Sequence, residues 1–233
     1  MLKNLRPKRI RTIYYRTKFR YWLSVCYIVR LYDEGNSKTK NMEHNLLYFY
    51  KNSLLRDLCS EYNKEWKACK EDREKLMQLA LQQQSIPYMA TSMYEDWGMS
   101  VDFLKREFAD YINGKHTFND VDGVDGYTYS MWVDNHDYIT LKEDVSHFVQ
   151  CDSRISVQET KCPTIYISNK SNVHLELDGF NAIRIYLFDE SVLTIDYVDV
   201  HSNVVVYMYS PKCEVKVLEN DGKVKMFTKD LRL

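Results

Sequence analysis

The sequence predicts an α+β protein: an N-terminal helical region followed by a β-rich C-terminal half, the latter a small β-solenoid or an antiparallel meander or sandwich. Three observations carry this. Apolar residues recur at helical spacing between Asn45 and Gln84. From Tyr127 onward the pattern changes to strict alternation. Between residues 164 and 223, equivalent apolar positions return about every twenty residues.

The chain divides into a basic leader over 1–42, a helical region over 43–126 and a β-rich domain over 127–233. The leader carries 11 Lys and Arg against 2 Asp and Glu, a net charge of +9, whereas the rest of the chain carries −10. Such asymmetry marks a partner-binding tail. Within the leader, Arg9, Arg11, Arg16, Lys18 and Arg20 alternate with rings such as Tyr15 and Trp22. Cations neutralise phosphates and rings stack on bases, so these seven residues are the candidate nucleic-acid contacts. Ile10, Ile13, Tyr14 and Thr17 also match one face of a helix that packs on the body. A third reading places the leader upstream of a start at Met42, where the amphipathic pattern begins. The apolar run Trp22–Val29 is far shorter than the ~20 residues that span a bilayer, so no membrane association is expected.

In the helical region, Leu46, Leu47, Phe49, Tyr50, Leu54, Leu55, Leu58 and Tyr62 form one apolar face, and Trp66, Cys69, Leu76, Leu79 and Ala80 continue it. Ser85-Ile86-Pro87 stops that helix, since a residue before proline avoids the α region. A short helix is expected over Tyr88–Tyr94. Another runs over Val101–Ile112, N-capped by Ser100 and closed by Gly114. Two Asp-Gly steps, at Asp122 and Asp125, then mark turns. Asp120, Asp122 and Asp125 resemble a cation loop, but Val124 and Met131 stand where acidic ligands belong, so turns are preferred and no metal is expected.

Tyr127, Tyr129, Met131 and Val133 alternate with Thr128, Ser130, Trp132 and Asp134 as a strand. Residues 164–223 align as three rows of twenty. Ile165, Ile185 and Val205 share a column, as do Val173, Leu193 and Cys213, then Leu175, Ile195 and Val215, then Leu177, Tyr197 and Val217. Ile155 and Val157 fall beside Leu175 and Leu177, and Val224 beside Arg184 and Val204. A solenoid and a meander of about eight strands both satisfy this spacing. His174, Glu176, Arg184, Thr194, Asp196, Glu214 and Lys216 would face solvent. The helices would cover one open end of a solenoid, and the other end would associate. Tyr166 and Tyr186 share an outward column and, with Tyr207, are the candidate interaction surface.

No zinc spacing occurs among six His and six Cys, and no GxSxG, Walker, HExxH or Rossmann pattern is present. No catalytic residue and no cofactor is therefore assigned. The cysteines, lacking any CxxC pair, are expected to be free and mostly buried in a reducing compartment. Five stretches, Asn45-Leu-Leu-Tyr-Phe-Tyr-Lys-Asn, Glu107-Phe-Ala-Asp-Tyr-Ile-Asn-Gly, Ile167-Ser-Asn-Lys-Ser-Asn-Val, Arg184-Ile-Tyr-Leu-Phe-Asp-Glu-Ser and Tyr209-Ser-Pro, resemble uncharacterised proteins of bacteriophages and prophages of gut bacteria. The resemblance spans about four fifths of the chain, excludes the leader, and implies a mobile-element origin without any activity. The expected function is a non-catalytic structural or interaction protein. It would present a rigid β surface to a protein partner or a second copy, in the cytoplasm or associated with a virion. The alternative is a nucleic-acid-associated protein acting through the leader.

Overall fold

The computed structural model describes residues 42–69, 71–157, 162–177, 179 and 182–229, with side chains from Leu46 onward. Residues 42–233 form one compact unit. Five helices come first: α1 (Met42–Leu55), α2 (Ser60–Ala68), α3 (Arg73–Leu81), α4 (Ile86–Tyr94) and α5 (Val101–Glu107). The run expected as helix from Asn45 to Gln84 is thus three helices. Asp57 takes a left-handed φ of 62° in the first break. Asp72 ends the second, accepting a hydrogen bond from the Lys75 amide to start α3. Pro87 sits in the first turn of α4, where its missing N–H costs nothing. Ser100 caps α5 through the Phe103 amide at 3.1 Å. That helix stops at Glu107 rather than Ile112. The following residues turn so that Asn113 can reach the sheet.

Twelve strands follow: β1 (Phe118–Asn119), β2 (Thr128–Val133), β3 (Tyr138–Leu141), β4 (Val145–Val149), β5 (Asp152–Val157), β6 (Thr164–Ser168), β7 (Asn172–Leu177), β8 (Ala182–Leu187), β9 (Val192–Val198), β10 (Asn203–Met208), β11 (Glu214–Asn220) and β12 (Lys223–Thr228). Even-numbered strands, with β1 at their edge, make one sheet in the order β1-β2-β4-β6-β8-β10-β12, and the other odd-numbered strands make the second, β11-β9-β7-β5-β3. Every pair is parallel except β1 with β2. An antiparallel meander is thereby excluded. The chain winds as a two-sided β-solenoid, each coil giving one strand to each sheet.

Register confirms the first two rows of the sequence alignment as far as Ile195 and corrects the rest: Tyr197, expected inward with Leu177 and Val217, is exposed and pairs with Glu219. Ile165 pairs with Ile185, Val173 with Leu193, Leu175 with Ile195, and Ile155 and Val157 with Leu175 and Leu177. Beyond Ile195 the columns slip. Ile185 meets Val206 rather than Val205, Leu193 meets Val215 rather than Cys213, and Ile195 meets Val217 rather than Val215. Val224 does lie beside Val204, but Val204 lies beside Ile183, not Arg184. One residue is added within β9, seven residues long against six in β7. A second is added in the 209–213 corner, where a proline is accommodated. The first coil is shorter, since Tyr129 pairs with Val145 and Tyr138 with Arg154, steps of only 16 residues.

Inward side chains of both sheets make one apolar seam that includes Ile155, Ile165, Leu175, Ile185, Ile195 and Val206, with Val215, Val217 and Val224 half-buried at its far end. Trp132 fills the short first coil, stacked on Phe148 at 6.3 Å and 9°. The corners from the even to the odd sheet use left-handed residues at Asp134, Gln150, Asn169 and Asp189, where Asn and Asp are the side chains that best tolerate φ near +55°.

The helices do not cover an open end. They lie on the outer face of the even sheet, where Tyr129, Met131, Val133 and Val149 join the core of α1–α5, and Ile86 and Ala90 of α4 cover Tyr166. The edge of β2 is closed separately. β1 pairs with its start, and Asn113 continues the cover. The Asn113 amide donates to Met131 O at 2.9 Å, its Nδ2 donates to Val133 O at 2.9 Å, and its Oδ1 accepts from the Val133 amide at 2.7 Å. Leu47, Leu54 and Leu55, expected on the apolar face of α1, are exposed among the described residues. Of the cysteines expected to be mostly buried, Cys151 alone is so among the described ones. Cys59 and Cys162 are exposed, Cys69 and Cys213 intermediate, and all five are free. No described helix is long and apolar enough to cross a membrane.

The seam sets a graded expectation. Ile195→Ala, which leaves a cavity between coils, is expected to cost about 2–5 kcal/mol. The adjacent outward change Thr194→Ala stays within about 0.5 kcal/mol. Urea unfolding of the two variants measures both.

Candidate functional site

The two outer faces of the solenoid differ in chemistry. The odd sheet carries a polar network. Arg154 pairs with Glu176 and, at 3.1 Å, with Asp196; His174 pairs with Asp196, and Tyr138 Oη donates to Glu176 at 2.8 Å. Exposed ion pairs of this kind add little stability and keep the face hydrated.

The even sheet carries rings. Parallel register places His147, Tyr166, Tyr186, Tyr207 and Phe227 one above another. Tyr166 and Tyr186 stack at 4.8 Å, Tyr186 and Tyr207 at 5.0 Å, and Tyr207 and Phe227 at 5.5 Å, with interplanar angles of 13° to 22°. Phe188 and Tyr209 form a second, parallel stack at 5.1 Å. The outward column anticipated for Tyr166 and Tyr186 is therefore a ladder that extends through Tyr207 to the last coil. Tyr166 itself is closed off beneath α4 and only 4 % exposed, so it cannot meet a partner. Tyr186 and Tyr207 are half-buried and Phe227 is exposed, so the ladder emerges from the helical cover as it climbs. Arg184 and Lys225 flank it on one side, and the Lys229 ammonium lies 4.4 Å from the Tyr207 ring centroid. Phe227, Tyr209 and Lys229 were not singled out by the sequence pattern; extending the twenty-residue column by one more coil would have found Phe227.

From His147, at the base of the ladder, runs a buried polar chain. His147 Nε2 lies 2.9 Å from Ser168 Oγ, and Ser168 Oγ donates to Asn169 Oδ1 at 2.9 Å. The hydroxyl proton being used, Nε2 must be the protonated nitrogen of a neutral imidazole. Burial holds the His147 imidazole down to about 3, and its Nδ1 has no partner. The Asn169 amide in turn donates to Asp189 Oδ2 at 2.6 Å, and Asn169 Nδ2 donates to Ala90 O of α4 at 3.3 Å. Burial pushes the Asp189 carboxyl up to about 6, with Glu95 and Glu190 acting in the same direction. The Ser168–His147 contact has hydrogen-bonding geometry, but both side chains are fully buried, so it links coils and helix rather than facing a substrate.

Asp189 borders a cleft of about 240 Å³ between the helices and the corner of the solenoid, lined also by Arg56, Tyr94, Glu95, Phe188 and Tyr209. At its rim Lys212, Tyr94 and Lys170 hold Glu190 down to about 2. Among the described residues no group of His, Cys, Asp or Glu is gathered to hold a metal, and the Asp122 carboxyl is instead pushed up by burial. Arg9, Arg11, Tyr15, Arg16, Lys18, Arg20 and Trp22 lie outside the described residues.

His147 and Asp189 make opposite contributions to acid stability. His147 is charged below about 6.5 when unfolded but only below about 3 when folded, so stability falls with pH across that window. Asp189 binds its proton at about 6 folded and near 3.8 unfolded, so stability rises as pH falls between those values. Between pH 6 and 4 the two nearly cancel. Asp189→Asn should expose the histidine slope, a loss of about 1.4 kcal/mol per unit of acidification, and His147→Gln the opposite slope. Urea midpoints across that range measure each.

No protein family, curated protein or solved structure matches the chain.

Proposed function

We propose that the protein is a non-catalytic interaction protein whose rigid solenoid presents the emergent part of the aromatic ladder to a protein partner. The observation that carries this is the passage of one continuous stack from beneath α4, at Tyr166, to half-buried Tyr186 and Tyr207 and exposed Phe227. Ring faces from Tyr166 to Tyr207 are occupied by neighbouring rings, so they are unavailable to nucleobases or sugars; the terminal Phe227 has a ring neighbour on one side among the described residues. Elsewhere on the stack what remains accessible is ring edges, which carry the positive part of the quadrupole, together with tyrosine hydroxyls. Edges flanked by Arg184, Lys225 and Lys229 favour a segment that combines apolar side chains with carboxylates. Half-buried aromatic positions lose little freedom on binding, which makes them efficient contacts. A phage or prophage origin, and a cytoplasmic or virion-associated setting, belong to this proposal through the sequence stretches alone.

A random peptide library selected on the full chain tests it. Enriched peptides should pair aromatic or aliphatic residues with Asp or Glu, and should lose about tenfold or more in affinity toward Tyr186→Ser/Tyr207→Ser. An unchanged thermal transition of that variant serves as the folding control. Peptides indifferent to the double substitution would refute the assignment of the ladder. The +9 leader supports a second reading, nucleic-acid association, for which retained nucleic acid should be released by salt and lost on deleting residues 1–41.

A further inference from the structure

The described solenoid ends on a step. The even sheet stacks six parallel strands, β2 to β12, and the odd sheet five, β3 to β11, so β12 overhangs β11 by half a coil. Both terminal strands have an unpaired edge among the described residues. The Lys223 and Lys229 amides donate to β10, at Ser202 O and Met208 O, so strand alternation turns the N–H and C=O groups of Val224, Met226 and Thr228 toward the open edge. On β11 the Glu214 amide is taken by Ser191 O, which leaves those of Val215 and Val217 facing out. Leu218, Met226 and Phe227 are 61 %, 45 % and 46 % exposed at this end.

We infer that this end pairs with the same end of a second copy about a two-fold axis parallel to the strands. This goes beyond the ladder proposal and stands on separate observations, the free strand edges at this end. Rotation about such an axis exchanges the sheets and preserves strand direction. The overhanging β12 of each copy then enters the step above β11 of the other, and the two strands run antiparallel. Both sheets pass through the junction without a gap. A two-fold axis normal to the sheets would instead oppose β12 to β12 and hold the two β11 strands about two strand spacings apart, roughly 9–10 Å.

Side chains agree with the exchanged arrangement. Val224 and Met226 continue the inward column of Val204 and Val206, and Val215 and Val217 that of Leu193 and Ile195, so the apolar seam runs on across the junction. On β12 the charges are Lys223 and Lys225, followed by Lys229; on β11 they are Glu214 and Glu219 with one Lys216. Opposite signs therefore meet when β12 faces β11. Growth stops at two copies because the two-fold uses this same end of both; at the opposite end the β2 edge of the even sheet is occupied by β1 and Asn113. The interface is isologous and closed.

Size exclusion with light scattering on the full chain, over a concentration series, should give a mass approaching twice 27.9 kDa and no higher multiple. Met226→Pro removes an edge N–H without touching the β10 ladder and should yield a monomer. Tyr186→Ser, on the outer face away from the edge, should leave the dimer intact. Hydrogen exchange on the unmodified protein supplies a readout that needs no variant: the Val224, Met226, Val215 and Val217 amides should be protected when concentrated and exchange freely on dilution. A monomer at every concentration, a series of higher multiples, or a dimer that survives Met226→Pro overturns the pairing. If peptides dependent on Tyr186 and Tyr207 still bind such a monomer, the pairing alone fails. If the dimer forms but no such peptides exist, the ladder proposal alone fails.

Discussion

Parallel stacking of coils is the constraint from which the rest of this structure follows. Each strand takes its hydrogen bonds from residues about twenty positions away in the chain, as when the Asn172 amide donates to Cys151 O and the Val192 amide to Ser171 O. No coil can satisfy its own backbone. The inward residues obey the same rule, because Leu175 is buried only when Ile155 lies on one side and Ile195 on the other. Such an arrangement behaves as a one-dimensional array in which each layer stabilises its neighbours and the two terminal layers need separate treatment. Asn113 and β1 supply that treatment at one terminus, using an amide side chain where a full strand would otherwise lie.

The array also dictates how its outer faces are used. Equivalent positions fall in line, so any residue type repeated at the coil period becomes a continuous stripe. On the odd sheet the repeated types are charged, and they neutralise one another across strands. On the even sheet they are aromatic, and helices sit over the first part of the stripe. The polar chain His147–Ser168–Asn169–Asp189 fastens that helical cover to the solenoid through Ala90. Burying a histidine and a carboxyl in one chain is costly for each, but the opposite directions of their proton affinities hold the sum nearly level in mildly acidic conditions.

Much of this architecture was legible in the amino-acid order. Inward columns such as Ile165 with Ile185 and Leu175 with Ile195 were readable because a strand in a regular coil must repeat both its period of two and its period of twenty. The Ser100 cap was readable because a hydroxyl ahead of an amphipathic run has one favourable use. Register beyond Ile195 was not, since one extra residue enters within β9 and another in the 209–213 corner, and neither leaves a mark in the residue types. The direction of strand pairing was equally hidden: parallel and antiparallel arrangements ask for the same alternation. Burial of Tyr166 and the Asn113 cover escaped detection because both depend on where the helices dock, and a helix placed on a face or on an end shows the same apolar spacing. The breaks within 45–84 rest on Asp57 and Asp72, two ordinary polar residues within a long periodic stretch.

The short first coil and the regular later ones divide the solenoid into a fixed base and a repeatable shaft. Trp132 plugs the base, and Gly114 leaves it no spare room, since a Cβ there would stand 2.8 Å from the indole. From β6 to β9, by contrast, corresponding residues recur at an interval of twenty. Duplicating or deleting one such segment would preserve every corner and both termini while moving them apart or together by one strand spacing, about 4.8 Å. The molecule is therefore built as a ruler, with a length that evolution or a designer can reset in uniform increments without redesigning either extremity.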